Sequence, residues 1–259
     1  MKKVILTTIA IIILLLAVGC GTERSWIMGD WPGYEGVEDL AESATDVVRA
    51  RVLDERYEWV NTRLGPPDPE SEIDPYDLCT IHRVLVLEVF QGDSSPGDII
   101  EVIQLGGELD GEMWHSYDNV GFSIDDDLVF FIRASLREDN PGFWLLSPSQ
   151  SVFNVLYSDK SIGDIENDIA LESAKSGYSR FAISVGELVE LAEVNFGYIN
   201  SAWVDGELTI DIDAIISQFT DGEENPQRTY IWFILGAVGI AVVSGLGIWL
   251  FLKKRKSGV

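Results

Sequence analysis

Hydrophobic and polar positions alternate most regularly across residues 80–107, TIHRVLVLEVFQGDSSPGDIIEVIQLGG. In the first run, 80–90, Thr80, His82, Val84 and Val86 face one way, and Ile81, Leu85, Leu87 and Val89 the other, the period of a β-strand. Because the run is apolar on both sides, it must be covered on both. The second run, 98–105, places Ile99, Ile103 and Leu105 on one side with Val102 opposite, and residues 92–97 supply the Gly, Ser and Pro of a tight reversal. The pattern predicts a β-hairpin at the centre of a β domain.

Around it the pattern predicts further short elements. Residues 37–44 read as a short helix with Val37, Leu40 and Ala41 on one side. In 46–59, Val48, Ala50 and Val52 alternate with Val47, Arg49, Arg51 and Leu53, the signature of a half-buried strand on a polar background. Pro66, Pro67, Pro69 and Pro75 make 61–77 an exposed connection. A polar loop is expected over 108–119, and its Met113, Trp114, His115 and Tyr117 are the candidate partner-contact residues, since loops carry function more often than cores. LVFFI at 128–132 is a buried strand, and 143–146 and 151–156 are two more around Pro148. Helix 184–194 begins with a Ser184–Glu187 capping box and carries Val185, Leu188, Val189 and Ala192 as its apolar stripe. A hairpin through Asp205 and Gly206 and a second short helix complete 201–219. About six strands with no long helix between them indicate an antiparallel sandwich or small barrel.

The two ends have a different character. Lys2 and Lys3, the apolar run 4–18 and the small residues before Cys20 form a secretory signal. Its Leu-Ala-Val-Gly-Cys ending resembles a bacterial lipobox, which implies acylation of Cys20. Residues 230–252 hold no charge and are followed at once by Lys253, Lys254, Arg255 and Lys256. As a helix that stretch reaches roughly 34 Å, enough for a hydrocarbon core of about 30 Å, and the basic cluster sets the tail in the cytoplasm. The bulk of the chain is then expected outside the cell membrane. Cys20 and Cys79 are the only cysteines, so acylation of the first leaves no intramolecular disulfide.

Charge narrows the partners. The chain has 43 acidic and 18 basic residues, for a net of −25; between Thr22 and Arg228 the balance is 43 to 12, a net of −31. Such a surface repels nucleic acid. Chemistry is thinly represented. The two histidines, His82 in the central strand and His115 in the acidic loop, are poor general bases without a paired nucleophile, and no Gly-Xaa-Ser-Xaa-Gly elbow, phosphate loop or zinc helix occurs. Carboxylate-dependent hydrolysis stays open as an alternative because acids are abundant. So does calcium binding, through Asp125, Asp126 and Asp127 or through Asp159, Asp164 and Asp168, although neither set has EF-hand spacing. No cofactor site is read.

Thr80, Val84, Val86, Glu88, Gly92, Asp93, Gly106, Gly107 and the LVFFI run resemble a pattern in bacterial extracytoplasmic proteins of the netrin-module or tissue-inhibitor-of-metalloproteinase type. The resemblance covers 37–194 and implies an OB-type five-stranded barrel with flanking helices, and no established activity. The expected order is a lipoprotein-type signal at 1–20, a tether at 21–36, an OB-like antiparallel barrel at 37–194, an extension and juxtamembrane stalk at 195–228, a transmembrane helix at 229–252 and a basic tail at 253–259. The expected role is a non-catalytic binding module for a partner, such as a protein, at the cell envelope.

Overall fold

The computed structural model describes residues 23–27, 31–62, 76–116, 118–137, 142–175 and 182–220. Within them the protein is mainly β. The strands are β1 (Glu23–Ile27), β2 (Asp46–Asn61), β3 (Tyr76–Gln91), β4 (Ile99–Leu105), β5 (Gly107–Leu109), β6 (Glu112–Ser116), β7 (Asp127–Ala134), β8 (Phe143–Leu145), β9 (Val152–Asn154), β10 (Ala170–Glu172), β11 (Ala182–Ser184), β12 (Asn200–Ser201), β13 (Trp203–Val204) and β14 (Glu207–Leu208). The helices are α1 (Val37–Ser43), α2 (Val185–Phe196) and α3 (Ile212–Thr220). The chain divides into Met1–Ile210 and Asp211–Val259. In the second unit Asp211 accepts a hydrogen bond from the Ala214 amide at the start of α3, whose Ile212, Ile215, Ile216 and Phe219 recur at helical spacing.

The expected hairpin is present: β3 pairs antiparallel with β4 from Cys79–Leu105 to Leu85–Ile99. The larger pairing is β2 with β3, two strands of 16 residues each. From there pairing runs β2–β7, β7–β8 and, in parallel, β8–β4, and β4 returns to β3, so the sheet closes on itself as a ring. The expectation of a wholly antiparallel sheet is corrected by that parallel β4–β8 pair and by a second one between β1 and β6.

Two cores follow from strand alternation. Leu128, Phe130 and Ile132 of β7 join Val48, Ala50, Val52, Val84 and Val86 on the inner face; Val129 and Phe131 face outward, where Leu40 and Ala41 of α1 and Val185, Leu188 and Ala192 of α2 cover them. The capping box is formed in full, with the Ser184 hydroxyl accepting from the Glu187 amide and the Glu187 carboxylate accepting from the Ser184 amide. One facing expectation is overturned. Register shifts in the β2–β3 pair put Val89 on the inner face with Val84 and Val86, because a bulge adds a residue and reverses the alternation beyond it.

The first half of the strand expected to be half-buried, residues 46–53, is covered on both faces, and its second half is partly exposed. Arg49 is 0% exposed. Its five N–H donors are all spent: Nε and Nη2 on the two carboxylate oxygens of Asp127, Nη1 on Glu88, and the remaining two on the carbonyls of Lys160 and Tyr157. Trp203 lies over the guanidinium, with 4.6 Å from Cζ to the ring centre. Glu88, also fully buried, accepts in addition from the Ser161 and Ser201 hydroxyls and the Ile162 amide. Residues 157–162 and 201–203 are thereby clipped to the outside of the ring. Residues 195–210, expected as an extension, are thus partly built into the sheet, with β12 pairing to β3.

Two further differences concern the periphery. Residues 23–27 of the expected tether form β1 beside β6, and Tyr34 exchanges two hydrogen bonds with the Gln150 side chain. The loop expected at 108–119 is largely the hairpin β5–β6, turned by Asp110 at φ 53° and Gly111 at φ 88°, the left-handed pair that two-residue hairpin turns require. The signal at 1–20 with its lipidation site Cys20, the stalk at 221–228, the spanning helix at 229–252 and the tail at 253–259 lie outside the described residues. Among the described residues no helix is long and apolar enough to cross a membrane.

Removing one member of a fully buried, fully bonded ion cluster strands the others. Arg49→Met is expected to destabilise the full chain by about 3–5 kcal/mol. Arg56→Met, whose side chain is 41% exposed and pairs with the 35% exposed Glu101, is expected to cost under about 1 kcal/mol, both variants being read by denaturant titration.

Candidate functional site

Beyond Val84 the inner face of the ring turns polar. On β3 the next inward positions are His82 and Thr80, both buried, and Gln104 of β4 lies beside them. With Glu55 and Tyr57 of β2, the β5–β6 hairpin and residues 119–122 they line an open cavity of about 290 Å³. Glu55, Tyr57, His82, Gln104, Met113, Trp114, His115, Asn119 and Phe122 are among its walls.

Gln104 sets the chemistry of His82. Its side-chain amide pairs with the backbone of Val120 as a strand would, Nε2 donating to the carbonyl at 3.0 Å and Oε1 accepting from the amide at 3.3 Å. That pairing fixes which end is the donor. The second N–H of Gln104 then meets His82 Nε2 at 2.9 Å, so Nε2 accepts and the imidazole proton sits on Nδ1. Phe122 packs against the ring, 4.5 Å between centres and 67° between planes. Burial holds the His82 pKa down at about 4, against the opposing pull of the Asp54 charge. Among the described residues Nδ1 itself has no hydrogen-bond partner, and Glu55 Oε2 is 3.9 Å away.

The rim is acidic and aromatic. Tyr57 donates to Glu55 Oε1 at 2.9 Å, and burial, with the Glu55 carboxylate second, pushes its phenol up to about 12. Its ring lies against the backbone of Gly107, where a Cβ would come within 2.6 Å of Cδ1, so only glycine permits this wall. Trp114 meets Trp59 edge to face at 5.3 Å. Asn119 donates through Nδ2 to the Leu105 carbonyl, and its buried Oδ1 has no partner among the described residues.

Of the candidate contact residues, Met113, Trp114 and His115 come together on β6 at this cavity, on a strand in place of the expected loop. Tyr117 and Cys20 lie outside the described residues. His82 and His115, unrelated in the sequence reading, line one space. Glu55, Tyr57, Gln104, Asn119 and Phe122 were missed. Their one legible signal was His82 and Gln104 as polar residues inside apolar strands. Cys79, by contrast, lies in an apolar cluster with Val60, Ile81 and Ile103, and burial pushes its thiol up to about 12. Of the two sets of acids considered for calcium, the first is engaged: Asp127 with Arg49 and Arg51, Asp125 with Arg51, and Asp126 with the Ser123 amide. Comparison with protein-family models, curated proteins and solved structures finds no match to this chain.

The depressed His82 pKa ties stability to pH. Below its ordinary value of 6.5 the unfolded chain takes up a proton that the folded chain refuses down to about 4. Stability present above pH 6.5 is therefore lost as pH falls through that window, by up to about 3 kcal/mol from this residue. Unfolding free energies from pH 4 to 7 should fall more steeply toward acid in the native chain than in His82→Phe. The His82 Cε1–H shift should read neutral at pH 5.

Proposed function

We propose that this protein is a membrane-tethered, extracytoplasmic binding module, that its sheet ring is a barrel of OB type, and that it engages an envelope partner at the cavity beneath Trp114. The cavity carries the reading: it joins a fixed buried donor, a carboxylate and aromatic walls at one open end of a rigid sheet. The ring order β2, β3, β4, β8, β7 and back to β2, with its parallel β4–β8 pair, supports the barrel assignment. The lipobox-like Cys20, the uncharged run 230–252 and the basic residues after it support anchoring at both ends, which holds the module close to the bilayer and raises its effective concentration toward neighbours.

A non-catalytic role suits His82. Its one lone pair faces the Gln104 donor, so it is engaged where a general base would need it open. Protonation would place two donors against each other across 2.9 Å.

Trp114 is the test. Full-length chain isolated from detergent-solubilised envelopes should bring down its partner, and Trp114→Ala should reduce recovery at least about tenfold, the usual scale for a buried aromatic anchor. Equal recovery by both would remove the reading.

A further inference from the structure

Resting on that binding role, we propose that the cavity receives a neutral sugar ring, one hydroxyl of which bridges His82 Nδ1 and the Glu55 carboxylate. The buried polar atoms without partners among the described residues select the chemistry. His82 Nδ1–H is a donor held in place by Gln104 and Phe122, on a side chain only 2% exposed. Glu55 Oε2, on a side chain 42% exposed, and the buried Oδ1 of Asn119 are acceptors on residues that line the same cavity. A group that only accepts, such as a carboxylate or phosphate, would satisfy His82 but face Glu55 and Glu108. A group that only donates, such as an ammonium or guanidinium, would satisfy the acceptors and leave the imidazole N–H buried against a cation. The occupant must therefore both accept and donate.

The spacing narrows this further. Nδ1 and Oε2 stand 3.9 Å apart, too far to bond each other and the right span for one oxygen at ordinary hydrogen-bond distance from both. An alcohol does this with a single atom: its oxygen accepts from Nδ1–H and its proton goes to Glu55. Asn119 Oδ1 asks for a second donor nearby, and Trp114, Met113 and Phe122 offer apolar surface alongside. Several hydroxyls on a compact carbon ring answer all of these at once. A cavity of about 290 Å³ sits at the small end of ligand sites, the size for one ring.

The full chain in lipid nanodiscs can be titrated with methyl glucoside, sodium glucuronate and N-methylacetamide, following the His82 Nδ1–H resonance. The expected result is saturable binding of methyl glucoside with a dissociation constant of millimolar order, a shifted and exchange-protected Nδ1–H, and much weaker response to the other two. His82→Phe, which keeps the ring shape and removes the donor, and Glu55→Gln, at the half-exposed mouth, should each weaken sugar binding roughly tenfold or more. If His82→Phe does not fold, Glu55→Gln decides alone. Equal or stronger binding of the amide or the sugar acid overturns the proposal, as does sugar binding indifferent to both substitutions. Absence of binding by every probe, with Trp114→Ala still losing its envelope partner, overturns the sugar and leaves the binding module standing. Loss of neither partner nor sugar with Trp114→Ala removes the module reading itself.

Discussion

A guanidinium with no solvent contact needs all of its hydrogen bonds made within the protein, and Arg49 obtains five from two carboxylates and two carbonyls. Lysine could not substitute, since three donors on a point charge match neither the fork to Asp127 nor the carbonyls behind it. Each acceptor belongs to a different part of the chain: Glu88 to β3, Asp127 to β7, and the carbonyls to the connection after β9. Satisfying one side chain therefore fixes four segments relative to one another. Such a cluster adds little net stability over apolar packing, but an alternative arrangement of those segments would strand a buried charge. The outer covering of the ring thus has one acceptable position.

The β2–β3 pair links that cluster to the cavity. Glu88 and His82 lie six residues apart on β3, roughly 20 Å along an extended strand. Between them the inner face is Val84 and Val86 against Ala50 and Val52, fully buried. A wall so packed does not deform easily. His82 is oriented by Gln104 and Phe122 in front and by this wall behind, so its N–H is placed before any partner arrives. Preorganisation of this kind lowers the ordering cost of association, and it explains why a neutral, buried imidazole can be tolerated at an open end of the sheet.

The long strands β2, β3, β4 and β7 and the helices were legible because local rules and tertiary demands agreed. LVFFI could only be a doubly covered strand, and Ser184 with Glu187 could only start a helix. Legibility failed where a residue's role depends on what the chain brings from afar. Arg49 looks like the polar side of a half-exposed strand, because nothing nearby announces that residues 157–162 and 201–203 will cover it. Val89 was placed on the wrong face by a bulge that alternation cannot register. Asp110-Gly111 was a readable hairpin signal in a stretch too polar to look like strand. The cavity failed differently: its members come from five separate segments, and only the misfit of His82 and Gln104 among valines and isoleucines marked them.

The large negative charge acts at longer range than the cavity and asks a different question of a partner. Carboxylates over the surface exclude polyanions at a distance, but they are screened within about 10 Å and cannot distinguish one neutral group from another. Discrimination has to come from short-range hydrogen bonds, and the described residues place the His82 imidazole and the Glu55 carboxylate at the cavity beside Trp114. A single small ring held there would bind weakly. On the proposed anchoring, confinement near the bilayer raises the local concentration of an envelope ligand and so offsets a weak intrinsic affinity.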